Sequence, residues 1–231
     1  NHTLALVSWI HGSQPGQENS HYLKHIMPQP FDDIVVLDFS SGWPGSIASM
    51  IMSDFGAEVI KIEPPNGDPY REFPQFHLWN RGKKSVVIDL NTVSGKNNTF
   101  KLIEQADVLI ESFRPGETDG LGINYEEAKK RNEQLIYCSI TGFGPKGPYA
   151  QYKPYEGIIA AKVGRYTVFT GQAARAGPHY GVVQIASHGT SMAALRGIIS
   201  ALIVKLHTGK GQRVETSLMQ GITPFDVNNW L

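Results

Sequence analysis

Basic side chains recur where the apolar runs of this chain give way to turns: Lys61, then Arg71, Arg81, Lys83 and Lys84, then Arg114, then Lys146 and Lys153. If those runs are strands of one sheet, several of the cations converge on one edge. Point charges beside backbone N–H groups are what a phosphate-bearing ligand needs. The run GFGPKG at 142–147 also fits G-x-G-x-x-G directly after an apolar segment, as a dinucleotide fingerprint should. Against that, Pro145 and Pro148 stand where the pyrophosphate-binding helix would take its first turns, and no acidic residue closes a strand about twenty positions later. A tight turn walling a cleft therefore competes with a nicotinamide site. The one cysteine, Cys138, lies inside an apolar run and reads as a structural thiol. H-E-x-x-H, C-x-x-C, G-x-S-x-G and the P-loop pattern are absent, which removes the commonest zinc, thiol, hydrolase and nucleotidase mechanisms. No metal site is expected.

The elements that must position these groups follow from periodicity. Residues 36–63, VLDFSSGWPGSIASMIMSDFGAEVIKIE, read as strand, Gly- and Ser-rich turn, helix and second strand with minimal linkers. In such a βαβ unit the turn after the first strand lies at the carboxyl edge of the sheet, where open α/β sheets hold ligands. SVVIDL (85–90), DVLIES (107–112), LIYCSITG (135–142) and QRVETSL (212–218) supply further strands. Helices are expected at 94–106, with Ser94 as N-cap, at 125–132, and at 187–207, the longest, stopped by Gly209. The alternation predicts an α/β fold with a doubly wound, mostly parallel, Rossmann-like sheet.

With 231 residues, 41% of them hydrophobic, the chain can bury one large core or one core plus an extension. Its 21 basic and 21 acidic residues cancel, which argues against nucleic acid or an anionic membrane as the main partner. A lone cysteine suits a reducing compartment, so the cytoplasm is the expected location. The apolar run 4–10 is too short to span a bilayer. Residues 1–30 read as a linker or irregular extension, with the domain starting near Phe31.

Taken together, VLDFSSGWPGSIASMIMSDFGAEVIKIEPPNGDPYR, NRGKKSVVIDL, ADVLIESFRPG, GLGINYE, ITGFGPKGPYA and TGKGQRVETSL resemble the class III CoA-transferases, the family of formyl-CoA and carnitine CoA-transferases and α-methylacyl-CoA racemase. The resemblance covers 31–231 and implies the large domain of a two-domain enzyme, incomplete because the small domain would fall beyond it. It implies transfer of CoA between carboxylic acids, with acyl-CoA and a carboxylic acid as partners. Two chains would interlock as rings, in a homodimer or a tandem pseudo-dimer. Coenzyme A is then expected along the carboxyl edge, beside Ser41, Gly42, Trp43 and Pro44, the strand residues Ile88 to Leu90, the Ser112-Phe113-Arg114 turn, and Lys153 with Tyr155. Gly120 takes a place that family members often give to Arg or Lys.

The resemblance also exposes a departure. In the family an aspartate opens the helix ending in T-G-x-G-Q and attacks the acyl-CoA thioester; counting back from Thr208 puts Ser187 at that position. A carboxylate is ionised at neutral pH and forms acyl intermediates that exchange in both directions, whereas a hydroxyl without a base is a poor nucleophile. Ser187 is therefore expected to be inactive and to cap the long helix. His188 would point well away from it, since adjacent helical residues do not face each other. Glu156, in KPYEG, matches a family position held by Asp or Glu beside the cleft; it is a candidate base or surrogate nucleophile, or simply an acid at a helix N-terminus. Tyr155 stands where the racemases place a histidine, which disfavours racemisation. Two other functions remain open: the non-catalytic half of a tandem or hetero-oligomeric transferase, and an NAD(P)-dependent oxidoreductase using the 142–147 turn.

Overall fold

Residues alternate between the two faces of a strand, and in β1 (Val35–Phe39) Val35, Leu37 and Phe39 share one face while Val36 and Asp38 take the other; burial on both suits a strand covered on each side. A computed structural model describes residues 28–167 and 176–225; the expected N-terminal extension, apart from 28–30, lies outside the described residues. Helix α1 (Trp43–Asp54) crosses from β1 to β2 (Glu58–Glu63), which pair in parallel with Val36 opposite Val59. With β3 (Lys84–Val87), β4 (Val108–Glu111), β5 (Ile136–Thr141) and β6 (Arg213–Ser217) they form a six-stranded sheet in the order β3-β2-β1-β4-β5-β6. Every pairing in it is parallel. The sheet is therefore the α/β, doubly wound one that the sequence predicts, and its order reverses between β1 and β4.

The remaining helices are α2 (Pro74–Trp79), α3 (Val93–Ile103), α4 (Glu117–Leu121), α5 (Tyr125–Arg131), α6 (Glu156–Lys162), α7 (Ile185–Thr208) and α8 (Leu218–Ile222). On one face Val36, Val108, Ile110 and Cys138 pack against Met52 of α1 and Ala194, Ile198 and Ala201 of α7. On the other, Leu37, Leu109 and Tyr137 pack against Ile103 of α3 and Ala128 of α5. By length and composition α7 would suffice to cross a bilayer, yet this alanine-rich side lies on the sheet. Its other side leaves Met192, Ile203 and Leu206 exposed. Helix α8 touches α7 backbone to backbone: a Cβ added at Gly189 would lie 2.0 Å from the Gly221 carbonyl oxygen, so neither position admits a side chain.

Two helix starts differ from the sequence reading. Helix α3 is capped by Thr92, whose Oγ1 accepts the Gly95 N–H at 3.0 Å, and not by Ser94. Thr92 is the residue with extended backbone, the geometry a capping side chain needs. Helix α7 begins at Ile185, so Ser187 sits inside its first turn and does not cap it.

Beneath the β1–α1 turn lies a buried group of charges. Lys83 Nζ donates to Asp38 Oδ2 at 2.9 Å, to Asn80 Oδ1 at 2.8 Å and to the Ser46 carbonyl at 3.0 Å. Lys61 Nζ pairs with Asp68 at 2.9 Å and donates to the Ser40 carbonyl at 2.8 Å. Alongside, Glu63 accepts two bonds from Arg71 and one from Ser85, each at 2.6 Å. Burial alone would raise the Asp38 carboxyl, but Lys83, Lys61, Ser40 and Ser49 outweigh it and hold that group well below the usual carboxylate range. Glu63 is likewise held low, by Arg71 and Ser85 against its own burial. Both carboxyls titrate below their unfolded values, so the stability they contribute is complete above about pH 5 and is lost as pH falls through about 4 and below. Urea titrations across that range should show the loss. Asp38→Asn, which takes the carboxylate partner from the buried Lys83 ammonium, should lower the unfolding free energy by about 3–5 kcal/mol.

Candidate active site

The reversal of strand order opens a cleft between the turns that follow β1 and β4, the place where a doubly wound sheet leaves room for a ligand. Gly42 occupies the N-cap of α1 at φ 85°, a left-handed conformation that favours glycine, and Pro44 falls in the helix's first turn. The Ser41 N–H donates to Ser112 Oγ at 2.9 Å, and that hydroxyl donates to the Ser41 carbonyl at 3.2 Å, so one serine ties the two turns together. Trp43 packs on Trp79 of α2 with ring centroids 4.1 Å apart and the ring planes inclined at 50°. A cavity of about 390 Å³ results, lined by Ser41, Gly42, Trp43, Phe113, Arg114, Tyr155, Glu156 and Ser187 among others.

Glu156 is the first residue of α6, and its carboxylate reaches across to the start of α7. Oε1 accepts the Ala186 N–H at 2.7 Å; Oε2 accepts the Ser187 N–H and the Ser187 hydroxyl, both at 2.8 Å. These amides belong to the first turn of α7, which has no partner for them within the helix. Gln184, the N-cap residue, makes no side-chain bond to them. A residue thirty positions upstream thus does the capping that the sequence reading gave to Ser187. Ser187 itself is 4% exposed and its hydroxyl is a donor to Glu156, while His188 beside it is exposed and turned away.

The basic rim is smaller than the sequence suggested. Lys61 and Lys83 are buried beneath the turn, Arg71 pairs with Glu63, Arg81 with Asp54 and Lys84 with Glu58. What made these side chains look available was their position next to turns; what occupies them is a set of carboxylates from β1, β2, the end of α1 and the segment after β2. Among the described residues, Arg114, Lys146 and Lys153 have no ion pair. Arg114 lines the main cavity and an adjoining one of about 480 Å³, which Lys153, Tyr155, Ser112 and Phe113 also line. Ile88 lies apart from both: it is 7% exposed and its side chain belongs to the core under α3.

Sequence reasoning missed Tyr70, Phe73, Thr141, Gln184 and Leu218, which also line the main cavity. Gly142 was legible as a cleft wall and is one. The G-x-G-x-x-G run it opens is followed by bends and turns, and the next helix starts only at Glu156, so the helix that would grip a dinucleotide pyrophosphate is not there. Among the described residues no cluster of His, Cys, Asp and Glu is arranged to hold a metal ion.

Sheet order, cleft and sequence agree on one class: residues 31–231 match CoA-transferase family III, and the chain belongs to that family. It is 37% identical over 205 residues to the acetyl-CoA:oxalate CoA-transferase of Acetobacter aceti, covering 85% of this chain and 52% of that one. To the succinyl-CoA–D-citramalate CoA-transferase of Chloroflexus aurantiacus it is 35% identical, covering 84% and 50%. Among solved structures it resembles a CAIB/BAIF family protein from Brucella suis, with a TM-score of 0.81 at 36% identity over 88% of this chain and 58% of that one. Rv3272 from Mycobacterium tuberculosis superposes with a TM-score of 0.83 at 31% identity, over 87% and 57%. The chain spans about half the length of the curated relatives it matches.

If Glu156 holds the first turn of α7, Glu156→Gln should cost about 1–2 kcal/mol of stability, the worth of a lost cap with a charged acceptor. Hydrogen exchange should localise the damage, with faster exchange at Ala186 and Ser187 than in the middle of α7.

Proposed function

We propose that this chain binds an acyl-CoA along the carboxyl edge of its sheet and serves the transfer of CoA between carboxylic acids. The observation that carries the proposal is the cleft at the strand reversal, with Arg114 and Lys153 beside it as cations not engaged by any carboxylate among the described residues. An anionic phosphate chain is attracted by such cations, and the aromatic walls from Trp43, Phe113 and Tyr155 suit the flat and apolar parts of the carrier.

The interlocked pairing of two chains, the rest of the enzyme and a cytoplasmic setting belong to the same proposal. Cys138 fits that setting: burial, with Glu111 nearby, pushes its thiol up, so it stays protonated inside the sheet. A second function is favoured by one residue. Ser187 stands where the family resemblance calls for aspartate, so the chain would hold acyl-CoA without turning it over, as the silent half of a pair.

Coenzyme A should raise the melting temperature, and at a hundred times its dissociation constant the gain should be about 2.7 kcal/mol. Removing a charge-assisted contact by Arg114→Ala should weaken that binding by about tenfold to a hundredfold, measured by titration calorimetry. Absence of any shift at millimolar CoA would refute the binding site.

A further inference from the structure

Resting on the CoA-binding role proposed above, the geometry points to Glu156 as the nucleophile of this site, in place of the residue at position 187. Among the described residues, Glu156 is the one carboxylate that lines the main cavity. An ionised carboxylate has about four lone-pair positions, and the bonds from Ala186 N–H, Ser187 N–H and Ser187 O–H account for three of them. Oε1 carries a single donor, so it keeps a lone pair for an electrophile. The three donors fix the group in one orientation, and a positioned reactant needs no further ordering when a thioester arrives. The Ser187 hydroxyl gives its proton direction to Oε2, which makes it a support for the carboxylate and not its competitor.

The reaction balances without a base or an oxidant. A Glu156 oxygen attacks the thioester carbonyl carbon, the C–S bond breaks, and a mixed anhydride and CoA thiolate result. The thiolate attacks the glutamyl Cδ, releasing the first acid as its carboxylate and leaving CoA in thioester linkage to Glu156. As that carbon becomes tetrahedral, negative charge gathers on a glutamyl oxygen. The first amides of α7 already point at the oxygens of this group, so they would serve as its oxyanion donors. The incoming carboxylate attacks the enzyme thioester, giving a second anhydride and thiolate again; thiolate attack on the new acyl carbon then frees the product acyl-CoA and restores Glu156. Each step exchanges one anion for another. Glu156 is thus a catalytic residue and Ser187 a positioning residue.

The test is to incubate the protein with acetyl-CoA or succinyl-CoA, quench with acid and weigh the intact chain. A mass increase of one CoA should appear. Hydroxylamine should convert it to a hydroxamate, and peptide mapping of the unaltered protein should locate that hydroxamate at Glu156, so the result does not depend on any variant folding. Glu156→Gln should abolish the adduct, while Ser187→Ala should keep it and slow its formation by about tenfold, the effect of one lost supporting hydrogen bond. Finding the acyl group on Ser187 with no CoA on the chain would overturn the proposal, as would an adduct that survives Glu156→Gln. Thermal protection by CoA with no adduct would also overturn it and leave the binding role standing; no protection would bring down both.

Discussion

Two ammonium groups held out of water beneath a single turn set the terms for the rest of this molecule. Desolvating Lys61 and Lys83 costs several kcal/mol each, and only close pairing with carboxylates and carbonyls offsets it. The partners come from different places: Asp38 from β1, Asp68 from the segment after β2, Ser40 and Ser46 from the turn and helix above. All must be in register at once. The Ser41–Pro44 turn, which is the near wall of the cleft, therefore rests on a foundation with little freedom to shift.

The opposite wall is held by a different device. There, one carboxylate spans from the start of α6 to the start of α7 and satisfies amides that the longer helix leaves without partners. Between the two walls, Ser112 fastens the β1 and β4 turns to each other. Arg114 and Lys153 stand on the rim with no carboxylate committed to them among the described residues. Under the proposed function, such a site is rigid where a thioester would react and retains charge where phosphates would lie. The reversal of strand order puts this cleft where doubly wound sheets leave room for a ligand.

Much of the scaffold was legible because it depends on local pattern. Short β-branched runs, a Gly- and Ser-rich turn and one long apolar helix are properties of neighbouring residues, and they gave strands and helices within a few residues of where they lie. Short helices such as α2, α4 and α8, of five or six residues, escaped notice because so few positions carry no periodicity. What the sequence hid was pairing at a distance. Lys61 and Lys83 looked like rim cations because Asp38, inside an apolar strand, gave no sign of facing them. Ser187 looked like a cap because serine is a common one. The group that does the work, Glu156, is separated from it by thirty residues, and only the fold brings them together.

The bare contact between Gly189 and Gly221 bears on how this pocket can change over evolutionary time. Helix α8 carries Leu218 into the cavity wall, and where its backbone meets that of α7 at Gly221 and Gly189 the two helices cannot come closer. Thr190 further pins α7 to the carbonyl of Ser217, just ahead of α8, at 3.1 Å. Lineages that came to accommodate bulkier acids could do so by trimming side chains such as Leu218 or Ile140, which leaves glycine at 189 and 221 and the seat of α8 undisturbed.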